Sequence, residues 1–141
     1  MTTTWAALFL VTASAPILVA ADKSELQGRR QRAATAFGDG VLIVHAKSVA
    51  EDSADGFHQD AAFYYFTGLE NILGAILTID GRSHESWLFL PPTDSGRPPE
   101  GSPVSDAVKQ AAIEHVVDPS ELEGFLNRNG SADYYALLSR A

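Results

Sequence analysis

A short aliphatic run that follows a helix breaker constrains the fold of this chain most strongly. Gly38-Asp39-Gly40 interrupts a helical pattern and is followed by four consecutive aliphatic residues, Val41 to Val44. A run without polar residues at alternate positions is typical of a strand that is covered on both faces of a sheet. Such a strand needs helices or another layer on each side, so the sequence predicts an α/β domain.

Further elements continue the same alternation of helix and strand. Residues 25–36 have helical spacing, and Ser24 opens them as the first residue of a capping box. Residues 75–79 and 86–90 are largely apolar runs separated by turn-forming residues, which predicts an antiparallel hairpin. The later elements are a helix from 103 to about 113, a strand at 116–117, a helix after 118 and a strand within 132–138. The predicted fold is a mixed β-sheet flanked by helices.

Composition excludes several classes of function. The 141 residues are 45% hydrophobic and 20% charged, which fits one globular domain. The net charge of -8 repels phosphate backbones, so nucleic acid is not an expected partner. The chain has no cysteine, which excludes disulfides, thiolate metal sites and thiol catalysis.

The first 21 residues are typical of a signal peptide. Met1 to Ala21 includes no charged side chain and is largely apolar, and Val19-Ala20-Ala21 offers small residues ahead of Asp22. We expect cleavage after Ala21, a mature domain over residues 22–141 and a secreted or periplasmic location. The alternative is an uncleaved membrane anchor.

Two clusters of large side chains have more than one interpretation. Phe63 to Phe66 are four aromatic residues in succession, and we expect Tyr65 and Phe66 to fill the space between a helix and the sheet. The alternative for this run is stacking on a ligand. The basic cluster within Arg29–Arg32 is expected to pair with acids on a neighbouring domain, since the chain is acidic overall.

The histidines do not form a metal-ligand pattern. His45, His58, His84 and His115 fall on separate predicted elements, and none begins an H-x-x-x-H pair. His58-Gln59-Asp60 has the form of an H-x-D corner, but no carboxylate cluster stands at a matching spacing. A solvated polar loop is the simpler interpretation, so we expect no metal or other cofactor to be bound by this chain.

Three stretches together resemble the N-terminal domain of aminopeptidase P, from the Xaa-Pro aminopeptidases of the creatinase and prolidase superfamily. They are Arg29–Arg32, the segment FHQDAAFYYFTGLE over residues 57–70, and ESWLFLPP over residues 85–92. The resemblance covers about residues 24–138. It implies an α/β domain similar to ribonuclease H, which precedes a catalytic domain of the pita-bread type.

The resemblance also implies an activity and the place where it resides. The family hydrolyses the first peptide bond of peptides whose second residue is proline, with two bridged manganese ions. Two Asp, one His and two Glu hold these ions, all from the C-terminal domain. The resemblance therefore implies no catalytic residue in this chain, and its partners would be its own catalytic domain, further subunits of a homo-oligomer, and peptides with proline second.

The family's loops near the active-site mouth or a neighbouring subunit suggest three candidate contacts: Asp52, His58 and Gln59. His58 stands where the family usually has arginine, so peptide selectivity could differ. The alternative is a plain acidic loop that Asp52 shares with Glu51 and Asp55. Two other functions stay open: a free-standing binding module with this fold, and a relative of prolidase or creatinase.

Overall fold

The computed structural model describes residues 21–48, 58–92, 103–130 and 133–137. Among these residues, no helix is both long enough and apolar enough to cross a membrane. The elements in chain order are α1 (Lys23–Phe37), β1 (Val41–His45), α2 (Ala61–Thr67), β2 (Ile76–Asp80), β3 (Ser86–Phe89), α3 (Pro103–Gln110), β4 (His115–Val117), a short 3₁₀ helix (Pro119–Glu121), α4 (Leu122–Arg128) and β5 (Tyr134–Leu137).

The strands form one mixed sheet in the order β4-β3-β2-β1-β5. The β1–β2 and β2–β3 pairs are antiparallel, which confirms the predicted hairpin, and the β1–β5 and β3–β4 pairs are parallel. Strand β1 lies between β2 and β5, and Val41, Leu42 and Val44 are fully buried. The aliphatic run therefore forms an internal strand, as its composition predicts, and the α/β fold class is confirmed.

Alternate residues of the sheet contribute to two separate cores. The larger core contains Leu42, Val44, Leu77 and Leu88 and is covered by α1, α2 and α3. On the opposite face, Val41 and Phe89 pack against Phe125 of α4 in a smaller core. Because side chains along a strand alternate between the two faces, one apolar run supplies both cores.

Helix α1 begins two residues earlier than predicted, and its cap is a different residue. Asp22 is the N-cap: its Oδ1 accepts a hydrogen bond from the Glu25 N–H at 2.8 Å. Ser24 is not the cap, because its hydroxyl donates to the same Asp22 oxygen at 2.7 Å. These bonds favour the ionised carboxylate and lower the pKa of Asp22.

The aromatic run forms helix α2, which corrects part of its interpretation. Asp60 caps this helix by accepting from the Phe63 N–H at 2.9 Å. Phe63 and Phe66 are buried, as expected for Phe66, but Tyr64 and Tyr65 are 41% and 47% exposed. The prediction that Tyr65 is buried was wrong because successive helical residues are rotated by about 100°, so four neighbours cannot share one face.

Arg30 joins three helices from inside the domain. It is 1% exposed, and its guanidinium donates to the Phe66 carbonyl at 2.8 Å and to the Ala111 and Ala112 carbonyls at 2.8 and 2.7 Å. These carbonyls lie at the carboxyl ends of α2 and α3, where the helix dipole favours a cation. Burial lowers the pKa of Arg30, and Glu114 partly opposes this effect. The prediction of a pairing with another domain was therefore wrong for this arginine.

Replacing Arg30 tests this junction. Arg30→Met keeps an apolar stem but leaves three carbonyls without their donor, so the free energy of unfolding should fall by roughly 3 kcal/mol. The control is Arg32→Met, an exposed position on the same helix, which should change stability by less than about 0.5 kcal/mol. Chemical denaturation of both variants measures the difference. Equal stability of the two variants would contradict the structural role of Arg30.

Candidate functional site

One edge of the sheet collects the carboxyl ends of four strands. Strands β1, β3, β4 and β5 end there and β2 begins there, as the register shows in the pairs Val44↔Leu137, His45↔Ile76, Ile76↔Phe89 and Phe89↔Val117. We call this the carboxyl edge. The connections after β1 and β3 start at it, and so does the chain after β5. Open α/β sheets commonly place their functional loops outside the carboxyl ends of strands.

Gln59 joins the two described ends of the connection between β1 and α2 at this edge. Its Oε1 accepts from the backbone N–H groups of Lys47 and Asp60, both at 2.9 Å. Its Nε2 donates to the Ile72 carbonyl at 2.7 Å. The side chain is partly buried, and its amide is hydrogen-bonded to the backbone of this chain.

Backbone hydrogen bonds hold the neighbouring residues of this connection in place. The Ala46 N–H donates to Ala75 at 2.9 Å, and the Gly74 N–H donates to Lys47 at 2.8 Å. Gly74 has a φ of 66°, a conformation that favours glycine. The chain therefore enters and leaves the connection at two fixed points, Lys47 and Asp60.

The structure describes two of the three predicted contact residues. Asp52 lies outside the described residues. His58 is exposed beside Gln59, while Gln59 is engaged with the backbone. Sequence reasoning missed the inward orientation of Gln59, because its partners Lys47 and Ile72 come from other parts of the chain.

A cleft of about 870 Å³ lies between α1, α2 and α3. Its lining includes Leu26, Arg29, Tyr64, Thr67, Lys109 and Ala111. Arg29 forms an ion pair with Glu25, donates to the Tyr65 carbonyl at 2.9 Å, and lies with its guanidinium carbon 4.4 Å from the centre of the Tyr65 ring. Arg29 therefore has internal partners in this domain, while its expected pairing with another domain stays a prediction. The i,i+4 spacing of Glu25 and Arg29 was the available signal for this pair.

The four histidines occupy separate environments. His45 and His58 are exposed, His84 Nδ1 lies 3.2 Å from Gln31 Oε1, and the His115 ring stacks on Trp87 at 3.9 Å between centroids.

In the part of the chain that the structure describes, no three His, Asp, Glu or Cys side chains cluster in a way that could hold a metal ion. The alternative interpretation of His58-Gln59-Asp60 as an H-x-D metal site is contradicted. Asp60 is buried as the cap of α2, while His58 is exposed to solvent. These residues do not fit a dinuclear manganese centre.

Solved structures that resemble this chain include proteins described as aminopeptidase P. A Bacillus anthracis protein assigned to aminopeptidase P is 20% identical with a TM-score of 0.61, and the match covers 84% of this chain and 32% of that one. Icp55 from Saccharomyces cerevisiae is 14% identical with a TM-score of 0.62 and a coverage of 82% and 29%. Aminopeptidase P from Escherichia coli is 24% identical with a TM-score of 0.55 and a coverage of 76% and 26%. These likenesses show a shared fold.

The chain spans about a quarter to a third of the length of the structures that it matches. A sequence search against curated proteins returned no significant match. The family model described as "Aminopeptidase P, N-terminal domain" matches residues 26–135, from the first buried leucine of α1 to the second residue of β5. Because this match covers most of the chain, the protein belongs to the aminopeptidase P N-terminal domain family.

Proposed function

We propose that this chain is the N-terminal domain of an exported Xaa-Pro aminopeptidase, where it caps the catalytic domain and shapes subunit contacts in a homo-oligomer. The family match over residues 26–135 carries the proposal, together with the share of the solved relatives that the chain spans. The Escherichia coli aminopeptidase P among those relatives was solved in complex with substrate. The substrates proposed for the complete enzyme are peptides with proline at the second position.

The proposal divides the work between two domains. The described residues provide no ligand cluster, so the two manganese ions of the reaction would be held by side chains of the catalytic domain. Such ions, when bound, polarise the scissile carbonyl and activate a water molecule. This chain would contribute the shape and charge of the entrance to that site and would bind no metal itself.

The carboxyl edge is the part of this domain that we expect to face the catalytic domain. The described chain reaches this edge at Leu137, the last residue of β5. Lys47 and Gln59, on either side of residues 49–57, also lie at this edge. A carboxylate on this connection, Asp52, could interact with the ammonium group of a peptide or with a neighbouring subunit.

Export is supported by the position at which the described helix begins. The N-cap of α1 is Asp22, the first residue after the predicted cleavage site, so cleavage would leave the cap side chain in the mature domain.

Mass spectrometry of the secreted protein should find Asp22 at the amino terminus. An intact Met1 or Thr2 terminus on secreted material would contradict the predicted processing.

The isolated chain should be inactive. We expect the purified domain to release no amino acid from an Xaa-Pro dipeptide or tripeptide, with or without added manganese, because the described residues lack a ligand set. Fusion to the catalytic domain of the proposed complete enzyme should restore hydrolysis, with an Xaa-Ala peptide as the matched control substrate.

Two results would contradict the proposal that metal binding and catalysis belong to the catalytic domain. They are hydrolysis by the isolated chain, and a stoichiometric manganese content that a chelator removes from it. A stop codon directly after Ala141 in the transcript would favour a free-standing binding module. A downstream domain that prefers peptides other than Xaa-Pro would favour a prolidase or creatinase relative.

Removing the carboxylate of Asp52 tests the proposed entrance. In the joined enzyme, Asp52→Ala should raise KM for an Xaa-Pro peptide by about tenfold, equivalent to about 1.4 kcal/mol, or weaken subunit assembly, with no change in metal content. Asp55→Ala is the matched control, since it removes an equal charge three residues away. An equal effect of both variants would mean that only the overall acidity of this segment matters.

A further inference from the structure

We propose that Asn129-Gly130 is a site of spontaneous modification, in which the Gly130 nitrogen attacks the side-chain amide of Asn129, and that the folded end of α4 protects this site. The two residues directly follow α4, and Gly130 is exposed. A glycine after asparagine has no side chain to hinder its nitrogen. The reaction needs only water, so it does not depend on the proposed function.

The reaction converts Asn129 in two steps. The Gly130 nitrogen gives up its proton to solvent and forms a bond to Cγ of Asn129, while the bond between Cγ and Nδ2 breaks. Nδ2 takes up a proton and leaves as ammonia, so that a five-membered cyclic imide remains. Water then opens the imide at either carbonyl. The product at position 129 is aspartate, or isoaspartate in which the main chain runs through the former side chain.

The folded backbone holds the two reacting atoms apart. Asn129 has a ψ of 20°, which turns the Gly130 nitrogen toward the main-chain nitrogen of Asn129 and away from its side chain. The Gly130 N–H donates to the Asn127 carbonyl at 3.4 Å, and Asn129 Nδ2 donates to the Phe125 carbonyl at 3.0 Å. Ring closure therefore requires a rotation about the Cα–C bond of Asn129 and the loss of both hydrogen bonds.

Tyr134 of β5 opposes this rotation. Its hydroxyl lies 2.8 Å from the Asn129 carbonyl oxygen and 2.9 Å from that of Leu126, and can donate to either of them. The backbone of Tyr134 is held in the sheet by the parallel pairing of β5 with β1. Rotation about the Cα–C bond would move the Asn129 carbonyl away from this hydroxyl. The rate of modification is therefore set by how often the end of α4 opens, and Tyr134 makes such opening rarer.

Modification would weaken the connection between α4 and β5. Aspartate at position 129 lacks the donor to the Phe125 carbonyl and places a negative charge at the carboxyl end of α4, where the helix dipole disfavours it. Isoaspartate also adds a methylene group to the main chain between α4 and Tyr134. Phe125 packs against Val41 and Phe89 in the smaller core, so the change would loosen the helix that covers this core.

The test measures conversion at each asparagine by peptide mapping and mass spectrometry, after incubation of the 141-residue chain in mildly alkaline buffer. Asn129 should convert at least about tenfold faster in denaturing urea than in the folded chain. Tyr134→Phe should accelerate conversion in the folded chain about fivefold, because one hydrogen bond of ordinary strength is lost. Tyr64→Phe, at an exposed tyrosine of α2, is the matched control and should leave the rate unchanged.

Two further controls test the chemistry itself. Asn71 and Asn127 are followed by Ile72 and Arg128, whose side chains hinder the attacking nitrogen, so both should stay unconverted while Asn129 reacts. Equal rates at Asn129 in urea and in the folded chain, or equal conversion of all three asparagines, would overturn the proposal. The comparison with urea uses no variant, so it decides the matter even if Tyr134→Phe does not fold.

Asn129→Asp reproduces one product directly and tests its consequence. Amide hydrogen exchange in the last turn of α4 should be at least about fivefold faster in this variant than in the parent chain, with the amides of β2 unaffected. Unchanged exchange in α4 would contradict the proposed loosening of this helix.

Discussion

The arrangement of helices over the larger core depends on the buried guanidinium of Arg30. Its donors satisfy carbonyls at the carboxyl ends of two helices, and its own helix supplies the third member of the junction. Its Nε has no hydrogen-bond partner among the described residues, so the charge is not fully compensated by hydrogen bonds. A charged group at this depth is unfavourable in most other arrangements, and this restricts the ways in which α1, α2 and α3 can pack.

This restriction extends to the candidate site. Helix α2 is held at its carboxyl end by Arg30 and at its amino end by the Asp60 cap, and Gln59 directly precedes that cap. The described end of this connection, at Gln59, is thus fixed through α2 from the interior of the domain. A substitution at Arg30 would consequently affect Gln59 indirectly, through the seven residues of this helix.

The sequence predicted the strands well because their signals are local. The largely apolar runs that form β1, β2 and β3 are bounded by turn residues, so neither their type nor the hairpin depends on distant contacts. The burial of each side chain in the aromatic run was harder to predict, because four neighbouring aromatics have no periodicity that would distinguish the buried Phe63 from the exposed Tyr65. Arg29 and Arg30 are adjacent and chemically identical, and only the packing of α2 and α3 makes one buried and the other partly exposed. The contacts of the candidate site were predicted least well, because two hydrogen-bond partners of Gln59, residues 47 and 72, are distant from it in the sequence.

The parallel pairing of β1 with β5 has a consequence for the order in which the domain can form. Strand β1 precedes the other strands along the chain, while its neighbour β5 contains the last described residues. During translation, one side of β1 therefore presents unpaired backbone groups until the residues of β5 have left the ribosome. A hairpin with β2 can form early, but completion of the sheet requires closure of a very long loop, which is slow. An open edge of this kind can pair with other chains, so the nascent protein has a period in which a chaperone that shields strand edges would matter.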